Sequence, residues 1–392
     1  MSNIKQPGWQ RGPFSGRARV ALSIAASALF TVASLEAAPP AAVSPGPLAT
    51  EGPPAEPSLP PASEVVSEAP PAEPASDGPP AEPSRVSEAP PVEPPTSETP
   101  PAEPSPPSGP VLPALLPTDI VAQSALPLHA LAAGALLSEA ELWARLAESP
   151  ATCFGEVHDD PYQHYAQTRA LEEWAARAAD PARPLAVGFE MFQRPFQPAL
   201  TAFAEGELDE AGLLAGTEYA TRWGYDFSLY RPLLESTREL GLSALALNAR
   251  AELTRQIARG GLASLTPEQL AELPELELED PEHREYIFGL FGVLPEHGAE
   301  FGLEDVYIAQ TVWDETMADT SAHWLAAEGQ GAQLLIFAGV VHCHASAIPR
   351  RLTRRTGLEV LAVAVAFAST LPDPNDPASV PDGYDLLVVL ED

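Results

Sequence analysis

The sequence predicts an α/β fold, a mostly parallel sheet covered by helices on both faces, with a helical insertion and a disordered Pro-rich N-terminal region. Short apolar runs typical of buried strands alternate with longer amphipathic patterns typical of helices from about residue 118 onward. Strands that are separated by helices favour parallel pairing, because each helix returns the chain to the same end of the sheet. Most of the 46 prolines precede this part of the chain.

Residues 1–38 are typical of an export signal or an N-terminal anchor. Basic residues precede an apolar run over 20–35, and small residues follow it. The run is short for a membrane span, which favours cleavage, but Glu36 stands where a small residue is preferred, so an uncleaved anchor stays open. We expect an exported protein of the periplasm or cell envelope that touches the membrane only through this segment, if it is uncleaved.

Residues 39–117 are predicted to be a disordered spacer rich in Pro and Glu. The unit Pro-Pro-Ala-Glu-Pro recurs at 53–57, 70–74, 79–83 and 100–104. Such a segment has too few apolar side chains to offset its ordering entropy, and its prolines and mutually repelling glutamates favour an extended chain.

The net charge of -34, with a single lysine, excludes nucleic acid as an expected partner, because nucleic-acid binding selects for basic patches. Two cysteines, Cys153 and Cys343, are too few for a disulfide framework. They leave three readings open: one bridge, a soft ligand for metal or haem, or two small buried side chains. A homo-oligomer is also left open.

Within the domain over 118–392, caps and glycines mark the helices. Ser138 and Glu141 form a capping-box pattern, Asp160 and Pro161 open a second helix, and Ser228 is expected to cap a helix that ends at Gly241. A helical insertion is expected over about 260–330. Predicted strands cover 151–154, 185–190, 242–247, 333–338, 358–367 and 384–390.

Polar side chains stand where four of these strands end. They are Glu156 and His158 after the first, Glu190 in the second, Asn248 and Arg250 after the third, and His342 after the fourth. Because parallel strands end at the same edge of a sheet, and ligands of open α/β sheets bind there, we expect these groups to converge. The site is therefore predicted at the carboxyl ends of the strands.

The chemistry of these groups favours a metal or another charged ligand. His158, His342 and Glu190 would suit Zn, Mn or Fe, although a capped backbone group and a Glu190–Arg250 pair would explain the same residues. His164 could be a ligand, a supporting donor or a partly exposed histidine. Tyr225 belongs to an aromatic segment that could line a pocket for a flat ligand or lie in the core. Four arginines over 350–355 could bind ligand carboxylates or the protein's own acids.

The domain resembles the ChaN-like haem-binding uptake proteins of the Tiki superfamily over about residues 126–390. The matching pieces include Gly155-Glu156-Val157-His158, Phe189-Glu190-Met191-Phe192, Trp223-Gly224-Tyr225-Asp226, Leu247-Asn248 before Arg250, His283-Arg284-Glu285-Tyr286, Trp313-Asp314 and Ala338-Gly339 with His342. The resemblance implies an α/β domain that binds haem or iron at the cell envelope. In this sequence Val340-Val341 replaces the more polar run that is usual before the last histidine.

Two functions follow from the residues and the resemblance together. The first is an exported haem- or iron-binding protein, in which His164, Asn248, Arg250 and Tyr225 contact the cofactor and the set of His158, Glu190 and His342 holds the metal. The alternative is a metal-dependent hydrolase, in which two Gly-x-x-His motifs and Glu190 hold Mn, Zn or Co. In that reading Glu156 is the general base on a bound water.

Overall fold

The computed structural model describes residues 127–178, 183–291 and 302–391. The predicted export signal and the predicted spacer lie outside the described residues. The strands are β1 Leu128–Ala132, β2 Ala135–Leu137, β3 Ala151–Glu156, β4 Leu185–Gln193, β5 Ser243–Asn248, β6 Gln333–Gly339, β7 Val360–Phe367 and β8 Leu386–Leu390. No helix within these residues is long and apolar enough to cross a membrane.

The α-helices of the same residues alternate with the strands. They are α1 Glu139–Glu148, α2 Pro161–Arg177, α3 Gln197–Ala204, α4 Glu210–Gly216, α5 Tyr219–Arg222, α6 Phe227–Glu239, α7 Ala251–Gly260, α8 Pro267–Ala271, α9 Pro281–Phe291, α10 Leu303–Glu328 and α11 Ile348–Thr356. A short 3-10 helix, Val340–Cys343, follows β6 directly.

The strands form one sheet in the order β2-β1-β8-β7-β3-β6-β4-β5. From β8 to β5 every neighbouring pair is parallel, and only β1 runs antiparallel, to β8 and to β2. The predicted mostly parallel α/β sheet is therefore confirmed. The sequence reading missed the β1–β2 hairpin, because these strands are short and the turn between them is marked only by Gly134, which has φ 78°.

Helices cover both faces of the sheet, as predicted. Phe154 and Phe189 point to one face, where they pack with apolar side chains of α1, α2, α3 and α6. Cys153 and Ile336 point to the other face, where they pack with α10 and α11. The apolar runs of the central strands are buried on both sides for this reason.

The helix starts follow the sequence signals with one correction. Ser138 and Glu141 form the predicted capping box, and Asp160 accepts from the backbone amides of Tyr162 and Gln163. The prediction for α6 was wrong, because Asp226 rather than Ser228 is its cap. The Asp226 carboxylate accepts from the amide of Ser228, which is already helical.

The side chain of Gln197 makes hydrogen bonds to the free backbone edge of the outer strand β5. The amide group of Gln197, at the start of α3, donates to the carbonyl of Ala244 at 2.8 Å and accepts from the backbone amide of Ala246 at 2.7 Å. This amide replaces one peptide of a neighbouring strand, so part of the open edge has no free backbone groups for another chain.

Helices α8, α9 and α10 lie in the segment where the helical insertion is expected, and α10 packs against β5 and β6.

Gly155 lies where β3 meets the 3-10 helix, and a larger residue does not fit there. An added Cβ would lie 2.8 Å from Cα of Val340 and 3.0 Å from the carbonyl oxygen of Val363. We expect Gly155→Ala to lower the free energy of unfolding by about 1–3 kcal/mol, measured by urea denaturation. The matched control is Gly289→Ala in α9, where an added Cβ meets no atom of the described residues within 4 Å outside the backbone of its own helix. This control is expected to be neutral or stabilising by about 0.5–1 kcal/mol, and equal effects of the two variants would contradict the prediction.

Candidate functional site

The carboxyl ends of β3, β6, β4 and β5 lie side by side, and most of the predicted site residues meet there. Glu156 is the register partner of Gly339, and Gln193 is the partner of Asn248. This order brings the 3-10 helix that carries His342 between the ends of β3 and β4. The parallel sheet is thus what brings together residues that are far apart in the sequence.

Glu156 is a buried carboxylate surrounded by hydrogen-bond donors. Its Oε1 accepts from the hydroxyl of Tyr230 at 3.0 Å and lies 2.9 Å from Nδ1 of His158. Its Oε2 lies 3.1 Å from Nδ1 of His164. Burial by itself raises the pKa of Glu156, but the charge of His164 and the hydrogen bonds outweigh it, so the pKa is below its usual value. The group is therefore a carboxylate that orients its neighbours.

His164 lies behind Glu156. Its Nε2 donates to the backbone carbonyl of His158 at 3.0 Å, and its Nδ1 faces Gln167 as well as Glu156. Both ring nitrogens are therefore engaged with the protein. Of the alternatives that the sequence left open, the partly exposed histidine is excluded, because the side chain of His164 is buried.

The His158 ring is enclosed by aromatic side chains. It packs edge-on against Trp223 at 4.8 Å and is tilted against Tyr225 at 4.9 Å, measured between ring centroids. A Cβ on Gly339 would lie 2.8 Å from Cε1 and 2.9 Å from Nε2 of this ring, so the glycine makes room for it. Burial lowers the pKa of His158, but the hydrogen bond that its ring donates to Glu156 and the charge of Glu190 outweigh this effect and raise the pKa.

Glu190 links β4 to the end of β6. Its Oε2 accepts from the backbone amide of Gly339 at 2.6 Å, and its Oε1 lies 3.4 Å from Nε2 of His342. Asn248 donates to the backbone carbonyl of Glu190 at 3.0 Å. Asn248 therefore supports the strand end that carries Glu190.

His342 lies between two carboxylates. Its Nδ1 lies 2.6 Å from Oδ1 of Asp314 on α10, and its Nε2 faces Glu190. Burial lowers the pKa of His342, but the charges of Glu190 and Asp314 outweigh this and raise the pKa to about 9. The imidazole is therefore protonated at neutral pH when no ligand competes for Nε2.

A disulfide holds the short helix that carries His342. Cys153 in β3 and Cys343 form the bond, with their Cα atoms 5.2 Å apart. Of the three readings left open for these cysteines, the structure shows the bridge. Because Cys343 follows His342 directly, the bond ties this end of the site to the central strand.

Arg250 and the arginines of α11 lie outside the cluster of imidazoles and carboxylates at the strand ends. Arg250 pairs with Glu272 at 3.3 Å, and its side chain is 38% exposed. Arg351, Arg354 and Arg355 surround the buried carboxylate of Glu315. The reading in which the basic cluster pairs with the protein's own acids is the one that the structure shows.

The sequence reading did not identify Asp314 and His283 as members of this site. Oδ2 of Asp314 lies 3.4 Å from Nε2 of His283, and both side chains are buried. Burial lowers the pKa of His283 to about 4, so this ring is neutral at neutral pH. The sequence signal that could have pointed to Asp314 was its position as a charged residue in the middle of a long helix that is otherwise largely buried. Within the part of the chain that the structure describes, no group of three or more His, Cys, Asp or Glu residues is arranged to hold a metal ion.

The fold is that of an α/β protein, with a buried cluster of imidazoles and carboxylates at the carboxyl edge of its sheet. A family profile described as haem-binding uptake, Tiki superfamily, ChaN matches residues 142–352, and the chain belongs to this family. No curated protein sequence matches the chain.

Three of the solved structures that are similar to the chain illustrate the range of the likeness. The structure described as cofacial heme binding to ChaN of Campylobacter jejuni has a TM-score of 0.53 and 16% identity, over 68% of this chain and 97% of that chain. The type III effector HopBA1 has a TM-score of 0.36 and 11% identity, over 64% and 92% of the two chains. A variant of the erythromycin esterase EreC has a TM-score of 0.37 and 13% identity, over 68% and 83%. Only the first likeness is close enough to show a shared fold.

The raised pKa of His342 predicts a pH-dependent stability. Because the folded state binds this proton more tightly than the unfolded chain, whose histidine pKa is 6.5, the stabilisation is complete below about pH 6.5 and is lost as the pH rises through about 9. We expect the free energy of unfolding of the wild type to fall more than that of His342→Gln between about pH 6.5 and 9.5, by on the order of 3 kcal/mol. Urea denaturation across this range tests the prediction, and parallel pH profiles of the two proteins would contradict it.

Proposed function

We propose that this protein binds haem at the carboxyl ends of β3, β4, β5 and β6, and that it acts in haem or iron uptake as an exported protein of the periplasm or cell envelope. One observation carries the proposal. In a chain of the haem-binding ChaN family, His158, Glu190 and His342 converge from three neighbouring strand ends. The signal-like pattern of residues 1–38 supports export.

The residues at the site fit the chemistry of haem iron. Imidazole nitrogen is a common axial ligand of haem iron, and the site offers two histidines whose Nδ1 atoms are held by carboxylates. We assign His158, Glu190 and His342 to the set that holds the iron. His342 has the most accessible side chain of the three, at 9% exposed against 3% for each of the others.

The other residues that were predicted to contact the cofactor have different roles in this proposal. The rings of Tyr225 and Trp223 beside His158 form an apolar wall for a flat macrocycle. His164 and Asn248 act through Glu156 and Glu190. Arg250 lies at the surface, where a propionate carboxylate would compete with Glu272 for its guanidinium. Because His158 and Glu190 are buried, a bound haem has to displace part of their covering.

Haem titration of the purified full chain tests the proposal. We expect a Soret shift that saturates at a defined stoichiometry in the wild type, and an affinity that is about 10–100-fold lower in His342→Gln, because the most accessible ligand is lost. The matched control is His323→Gln, which removes a histidine that is 78% exposed on α10, and it should leave the titration unchanged. A wild-type protein that shows no Soret shift would overturn the haem assignment.

A second candidate function is metal-dependent hydrolysis. The observation that favours it is that each of two imidazoles at the site carries a carboxylate on Nδ1, namely His158 with Glu156 and His342 with Asp314. Carboxylate-supported histidines are typical of metal ligands and of general acid–base pairs. In this proposal His158, His342 and Glu190 would hold Mn, Zn or Co, and Glu156 would act as general base. The three ligands would have to move closer together, because among the described residues no such group is arranged to hold a metal ion.

Metal analysis and an ester-hydrolysis assay of the purified protein distinguish this candidate. If the protein is a hydrolase, we expect a bound divalent metal and an activity that falls by about 10²–10⁴-fold in Glu156→Gln, because the base is removed. The control is Glu328→Gln, an exposed glutamate at the end of α10, which should keep full activity. Absence of bound metal together with equal rates in wild type and Glu156→Gln would exclude the hydrolase.

A further inference from the structure

A chain of buried polar groups extends from His342 away from the strand ends. Nδ1 of His342 lies 2.6 Å from Oδ1 of Asp314, and Oδ2 of Asp314 lies 3.4 Å from Nε2 of His283. All three side chains are buried. They come from the 3-10 helix after β6, from α10 and from α9, so three separate elements meet at one carboxylate.

The geometry determines which nitrogen of His342 is available. A carboxylate only accepts hydrogen bonds, so Nδ1 of His342 carries the proton that is donated to Asp314. Nε2 is then the nitrogen that faces Glu190 and the strand ends. The ring is also held edge-on by Trp313, whose centroid is 6.1 Å away.

The ring of His283 faces the second carboxylate oxygen of Asp314, Oδ2. Its ring lies next to Tyr307, at 5.6 Å between centroids, and among the described residues neither ring nitrogen makes a hydrogen bond of good geometry. The 3.4 Å approach of Nε2 to Asp314 is therefore its main polar contact.

We propose that Asp314 is a positioning residue that acts through His342. It holds the Nδ1 proton and the ring plane so that Nε2 is presented to the ligand. The Asp314–His342 bond stands independently of the ligand, whereas its effect on binding rests on the proposed haem function.

Proton NMR of the full chain labelled with ¹⁵N-histidine tests the bond directly. A buried N–H donated over a short distance to a carboxylate resonates well downfield of the backbone amides. We expect such a proton in the wild type, its loss in His342→Gln, and an upfield move in Asp314→Asn, because an amide oxygen is a weaker acceptor. Asp319→Asn, the same change one and a half turns further along α10, should leave the signal in place. The proton that His158 donates to Glu156 at 2.9 Å is expected in both proteins, so the test is the resonance that differs between them. A set of downfield resonances that is the same in the wild type and in His342→Gln would overturn the bond.

A double-mutant cycle in the haem titration tests the positioning role. We expect Asp314→Asn to lower haem affinity by about 10–100-fold, as loss of a carboxylate behind a ligating histidine does. The same change should have no further effect in a His342→Gln background. Equal losses in both backgrounds would show a merely structural role and overturn the proposal. If the wild type binds no haem, the proposed function fails, while the NMR signal still decides whether Asp314 holds His342.

Discussion

Burial of negative charge at the carboxyl edge of the sheet is the constraint on which the site depends. Glu156, Glu190 and Asp314 are almost fully buried, and an isolated carboxylate in such a place would be strongly disfavoured. Each one is therefore held by specific donors: a tyrosine hydroxyl and histidines for Glu156, a backbone amide for Glu190, and His342 for Asp314. Removal of one donor leaves a buried charge less well compensated, so the side chains around these carboxylates form one interdependent unit.

Two glycines make this unit sterically feasible. Gly155 allows the 3-10 helix after β6 to approach β3 closely, and Gly339 leaves space for the ring of His158. The disulfide between Cys153 and Cys343 then fixes the same approach covalently. The backbone therefore brings His158 and His342 together before any ligand is considered, which is the kind of preorganisation that a binding site needs.

Much of the fold could be predicted from the sequence, because its determinants are local. Alternating strand and helix patterns, the capping box at Ser138 and the Asp160-Pro161 start are set by residues a few positions apart. The cap of α6 was misassigned by two residues, since Asp226 and Ser228 are both good caps and only the backbone geometry separates them. The β1–β2 hairpin was missed because strands of five and three residues carry little periodicity.

The sequence by itself determined the family, the α/β class and the residues Glu156, His158, Glu190 and His342, because glycine and polar residues at strand ends leave a local pattern. Only the tertiary structure decided which groups each residue contacts. It placed His164 behind Glu156, paired Arg250 with Glu272, and brought Asp314 and His283 to His342 from two helices. Such roles depend on distances between elements that are far apart in the chain, and side-chain type and spacing carry no information on those distances.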